Sequence, residues 1–198
     1  EVRSLKEDIF NIPRLVSIKI TNKENIYNNK IYISIPNIKQ DIPLVILFRL
    51  FGYETDKEIL YNIIDNDTVQ NNELLFKVLQ PTLINNENIY TKSDAYDYII
   101  KYIQGNVSQL PIDKKKNYVK NYILENYLPH LSNIKDKMIY TGYMVNMLLK
   151  TYLQIKDLDD RDSYMHKRID TPGVLLGNLV CQCMNKITRD VKNYVIKD

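Results

Sequence analysis

The spacing of apolar residues changes near residue 40. Before it, Leu15-Val16-Ser17-Ile18-Lys19-Ile20 and Ile31-Tyr32-Ile33-Ser34-Ile35 alternate apolar with polar. Period two is the mark of strands with one buried face. A polar stretch, Asn22 to Asn29, separates the runs and predicts a hairpin. Pro36 ends the second strand. Beyond it, apolar residues recur three and four apart, and helices follow. The first runs from Ile42-Pro43-Leu44 to Phe51, with Pro in its first turn and Gly52 behind it. Thr55-Asp56-Lys57-Glu58 has the form of a capping box before Ile59, Leu60, Ile63 and Ile64. A third helix is predicted from about Asn72 to Leu79, stopping before Pro81. Ser93-Asp94 opens a fourth, with Gly105 behind it, and Pro111-Ile112-Asp113 opens a fifth that runs to about Tyr127. The longest helix should span about Asp136 to Leu158. Ile139, Tyr143, Val145, Met147, Leu149, Tyr152 and Leu153 give it an apolar belt wide enough for burial on two sides. A last helix runs from Pro172 to about Ile196. The pattern describes an α+β chain, mostly α-helical with an N-terminal antiparallel β hairpin.

At 198 residues and 44% hydrophobic composition, the chain can bury a core. It contains no apolar run near the ~18 residues that would cross a bilayer. Residues 1–12 carry acids and lack the apolar stretch of a signal peptide, so a soluble, intracellular protein is expected. Cys181 and Cys183, two apart, would point about 200° from each other on a helix, which disfavours a mutual disulfide. Asn, Ile, Lys and Tyr abound while Ala is nearly absent, which implies an A/T-rich genome.

Candidate chemistry is sparse. No Gly-rich phosphate loop is present, and neither His130 nor His166 has partners at metal-ligand spacing. His130, after Pro129, reads as a packed or capping side chain. Net charge is +3, a weak pointer to nucleic acid. Lys114-Lys115-Lys116 with Lys120 forms a basic run near a helix start. It reads as a solvated helix face or as a set of phosphate-facing cations. The densest charge lies in Asp159-Asp160-Arg161-Asp162-Ser163-Tyr164-Met165-His166-Lys167-Arg168-Ile169-Asp170. Three acids could suggest a divalent-cation site, but the Gly and distal Glu of a calcium loop are missing. The acids alternate with Arg161, Lys167 and Arg168, so internal ion pairing is the stronger reading.

That block, with its neighbours, resembles the second-largest subunit of multisubunit DNA-directed RNA polymerases. Asp159, Asp160, Arg161, Asp162, Tyr164, Lys167, Arg168, Asp170, Gly173, Leu175 and Leu176 match a family motif. Ser163 and Met165 stand where the family has His and Gly. Further elements match in order: Glu1 to Ser4, Pro36 to Gly52 with Lys39, Asp41-Ile42-Pro43, Phe48-Arg49 and Gly52, continued by Asp56, Glu58 and Ile59, then Tyr127-Leu128-Pro129-His130, and Tyr140 to Leu149 with Gly142, Tyr143, Met144 and Asn146. The archaeal, eukaryotic and viral branch fits better than the bacterial one.

The resemblance implies the lobe domain of that subunit, a wall of the downstream DNA cleft. Residues 1–12 would arrive from the protrusion domain and 13–158 would form the lobe. Residues 159–198 would form a charged hinge and a return helix toward protrusion and fork. Catalytic residues and metals would be absent here, the catalytic magnesium belonging to the largest subunit. Expected partners are that subunit, the rest of the same subunit, downstream duplex DNA and initiation factors. Lys114, Lys115, Lys116 and Lys120 are the DNA-steering candidates. Asp159, Asp160, Arg161, Asp162, Lys167, Arg168 and Asp170 are the structural hinge. The alternative role is a docking module for polymerase subunits or initiation factors. The departures and the composition point to a divergent lineage, first a large cytoplasmic DNA virus and second a protist or plasmid. Virion and host cytoplasm would be the location in a viral case, the nucleus in a eukaryotic one.

Overall fold

The computed structural model describes residues 1–4, 14–21, 29–36, 38–64, 69–84, 89–103, 111–160, 162–167 and 169–197, without the side chains of 69–71, 112, 113 and 197. Four strands come first: β1 (Val2–Ser4), β2 (Arg14–Ile20), β3 (Ile31–Ser34) and β4 (Ile42–Pro43). They form one antiparallel sheet in chain order. The expected hairpin is its centre, with Ile18 opposite Ile33 and Ile20 opposite Ile31. Residues 22–28 of the turn lie outside the described residues. β3 shows the clearest alternation: Ile31 and Ile33 are fully buried, Tyr32 and Ser34 half-buried.

Two strands were not expected. β1 pairs Val2 with Val16 and Ser4 with Arg14. Ile42–Pro43, read as a helix start, is instead a two-residue edge strand opposite Ile33 and Tyr32. Pro43 is compatible with that edge because it is never asked for a ladder N–H on its free side. It then serves as N-cap of α1 (Leu44–Leu50), all of whose residues are buried.

The remaining helices are α2 (Asp56–Ile63), α3 (Val69–Ile84), α4 (Lys92–Tyr102), α5 (Ile112–Asn126), α6 (Ile134–Tyr152) and α7 (Pro172–Lys197). The capping box at Thr55 forms: the Glu58 N–H donates to Thr55 Oγ1 at 3.3 Å, and the Thr55 N–H donates to Glu58 Oε2. α4 starts two residues before the expected point, because Thr91 and Asp94 make a second such box.

α3 runs through Pro81 rather than stopping before it. A proline in a helix interior loses one hydrogen bond and normally breaks the helix. Here burial outweighs that cost: Leu79, Pro81, Thr82 and Leu83 are all buried, and Thr82 Oγ1 accepts the Ile31 N–H of β3.

α6 ends at Tyr152, six residues before the expected Leu158. Gln154 takes a left-handed φ of 58°. The Gln154 N–H then reaches Thr151 O at 3.1 Å and the Ile155 N–H reaches Lys150 O at 2.9 Å. These paired bonds satisfy the last carbonyls and turn the chain away. Glycine usually marks that position, so a Gln leaves no sequence signal.

Nor is α6 buried on two sides. One stripe, Met138, Thr141, Gly142, Val145, Asn146 and Leu149, is buried, while Ile139 and Tyr143 are 59% and 53% exposed. The chain divides into two compact units, the first holding the sheet and α1 to α6, the second holding Asp159 onward with α7. The core of the first joins Val16, Ile31 and Ile33 of the sheet to α1 and to inward faces of α2 through α6.

Candidate functional site

The residues that carry the resemblance are mostly spent on architecture. Arg49, the sixth residue of α1, is 2% exposed. Its Nη2 donates to Asp56 Oδ1 at 3.0 Å, its Nη1 donates to Ile89 O, and its guanidinium lies 5.0 Å from the Tyr90 ring centroid. A planar fork suits these divergent contacts where a lysine would not. Arg49 thus ties α1 to the start of α2 and to the chain entering α4. Gly52 has φ 99°. It lets the Gly52 N–H reach Arg49 O and the Tyr53 N–H reach Phe48 O, closing α1.

Gly142 on α6 has a different reason. A Cβ there would lie 2.1 Å from the backbone oxygen of Asn62. Only glycine lets α6 approach α2 this closely. One turn on, the Asn146 side chain donates to Ile63 O at 2.7 Å, satisfying a carbonyl at the end of α2. Tyr143, between them in sequence, takes no part in that contact and faces solvent.

The Leu128-Pro129-His130 element turns the chain from α5 into α6. Leu128 is fully buried at a φ of 47°. Lys137, also buried, donates from Nζ to the carbonyls of Leu124 and Tyr127, closing α5 with a positive charge at its C-terminal end. Burial pulls the Lys137 amine down to about 8. The Tyr127 hydroxyl shares a 2.6 Å hydrogen bond with Thr141, and burial raises its pKa. Sequence reasoning missed Lys137 because a lysine in the charged run Lys135-Asp136-Lys137 carries no signal of burial. His130 is packed, as expected: its Nδ1 lies 2.6 Å from Ser4 Oγ of β1 and its ring meets Tyr140 edge-on. Burial, and then the nearby Lys137 charge, lower its pKa.

The basic run does not form one continuous patch. Successive residues on a helix turn by about 100°. Val119 and Ile123 take the buried side of α5, and the lysines fall around the remainder. Lys116 is held against α4, donating to Ser93 Oγ at 2.8 Å and lying 3.6 Å from Asp97. Lys115 is half-buried. Lys114 and Lys120 are exposed, and between them Tyr118 is 41% exposed and stacks on Tyr122.

In the second unit, Asp162 to His166 form local turns. Asp160 Oδ1 accepts the Asp162 N–H at 2.9 Å, and the His166 N–H reaches Ser163 O at 3.0 Å. Ser163 Oγ accepts the Met165 N–H at 3.4 Å, so the residue replacing the family's His works as a turn former. Among described non-glycine residues only Leu128 and Gln154 have positive φ, so Met165 needs no glycine-like backbone. Lys167 pairs loosely with Asp162 at 4.0 Å and lies over the Tyr164 ring. Asp159, Asp160 and Asp170 are exposed. Arg161 and Arg168, expected to complete the network, lie outside the described residues. Among the described residues no group of three or more His, Cys, Asp or Glu is placed to hold a metal.

Two surface features were not expected from the sequence. The outer face of α6 presents Ile139 and Tyr143, with Tyr140 6.2 Å from Tyr143 between ring centroids. A cleft of about 620 Å³ opens beside α2, lined by Tyr53, Lys57, Leu60, Tyr61 and Ile64 among others.

The sequence that builds this framework matches a known family. Residues 12–170 fit the family described as RNA polymerase Rpb2, domain 2. The chain belongs to that family. It is 32% identical over 199 residues to the DNA-directed RNA polymerase II subunit RPB2 of Eremothecium gossypii, covering 98% of this chain and 16% of that protein. It is 32% identical over 206 residues to DNA-directed RNA polymerase II subunit 2 of Arabidopsis thaliana, covering all of this chain and 17% of that protein. An archaeal relative, the Rpo2N subunit of Methanocaldococcus jannaschii, is 28% identical over 167 residues, 82% of this chain and 32% of the relative. The chain therefore spans about a sixth of the eukaryotic subunits it matches. The family match covers both the α1 latch and the α2–α6 contact. Arg49, Gly52, Gly142 and Asn146 thus sit within a polymerase-subunit domain, where they fix its shape. Among the described residues no helix is long and apolar enough to cross a membrane.

Proposed function

We propose that the chain is the lobe of the second-largest subunit of a DNA-dependent RNA polymerase, lining the downstream DNA cleft and supporting transcription without carrying the active site. One observation carries this reading: the motif residues Arg49, Gly142 and Asn146 are consumed in packing, while Lys114 and Lys120 are left exposed on α5. Such a domain acts by shape and by charge. Its lysines raise the potential beside a duplex and touch phosphates, without reading bases. The nucleotidyl transfer and its magnesium belong to the largest subunit, and the protrusion and fork of its own subunit are its neighbours. Charge reversal tests the steering role. In the assembled polymerase, Lys114→Glu with Lys120→Glu should weaken downstream duplex binding, most at low salt. For every phosphate no longer neutralised, the slope of log K against log salt should also fall by about one. An unchanged affinity and slope would remove these lysines from the role.

A second reading has its own observation. The exposed Ile139 and Tyr143 of α6 are residue types enriched at interface centres, with Lys135 and Asp136 one turn away as a polar rim. In that reading the domain docks other polymerase subunits or initiation factors and touches little DNA. Tyr143→Ala would then lower recovery of a partner with the polymerase and leave duplex affinity unchanged.

A further inference from the structure

We draw no further inference here: the strongest candidate, the exposed apolar face of α7 that includes Leu176, Leu179, Val180, Met184, Ile187 and Val191, carries none because nothing in the structure shows what covers it.

Discussion

Gly142→Ala should be among the most damaging single-methyl additions in the first unit. The new Cβ would sit 2.1 Å from Asn62 O and 2.8 Å from Asn62 C, both backbone atoms that no rotamer change can move. Relief requires α6 to withdraw from α2 by about 1 Å, given that carbon–oxygen contacts rarely fall below about 3 Å. Overpacking of this kind costs about 1–3 kcal/mol. Withdrawal also stretches the 2.7 Å bond from Asn146 to Ile63 O. Stranding that buried amide adds about 1–3 kcal/mol. Alanine's better helix propensity returns about 1 kcal/mol. The net expectation is a loss of about 3 kcal/mol, or roughly 6–12 °C in Tm for a chain of this size. Urea unfolding followed by circular dichroism reads it directly. Gly173→Ala, where nothing lies within 4 Å of the added carbon, is the control and should leave stability unchanged or slightly raised. If Gly142→Ala behaves like Gly173→Ala, the close α2–α6 approach is not what glycine is there for.

Three other outcomes are expected. Lys137 binds its proton less tightly in the folded chain, near 8 against an ordinary 10.5. The unfolded chain therefore holds more protons above pH 8, and stability should rise with pH until Tyr127 reverses the trend. Tyr127 titrates higher when folded, so its contribution is lost above the ordinary tyrosine value of 10.0. Urea midpoints should increase from pH 8 to 10, and Lys137→Met should flatten that slope; a wild-type midpoint that falls across this range would contradict the assignment. Gln154→Gly should stabilise by about 0.5–1 kcal/mol, because a left-handed backbone costs an L-residue more than it costs glycine; thermal unfolding showing a loss would sink this account of the α6 end. Arg49→Lys keeps the charge but not the fork, and should cost about 1–3 kcal/mol by leaving the Ile89 carbonyl or Asp56 without its donor; a chemical denaturation curve that superimposes on wild type would argue against the latch.

Much of the first unit was legible from spacing. Alternation marked β2 and β3, and the Thr55 box and Gly52 marked helix boundaries, because those signals are local. What escaped depends on tertiary context. β1 and β4 are too short to show a period. Pro81 reads as a stop unless the buried wall it joins is known. Gln154 ends α6 in a conformation that its identity does not advertise. The wide belt on α6 misled for a related reason: Ile139 and Tyr143 are apolar, yet no described element of the first unit covers them. Motif matching located Arg49, Gly142 and Asn146 without saying why they are needed. Distances to Asp56, Asn62 and Ile63 supply the reason. The basic run was visible in the sequence, but not that Lys116 is held by α4 while Lys114 and Lys120 stay exposed.

The central claim, a DNA-lining domain without its own chemistry, is tested most directly by site-specific photocrosslinking. A crosslinker placed at position 114 or 120, in the assembled polymerase on a template with labelled duplex ahead of the growing transcript, should attach to downstream DNA. Crosslinkers at positions 137 and 146, buried in the fold, should not. Crosslinks from 114 and 120 to protein alone, with none to the duplex, would contradict the account and favour the docking role.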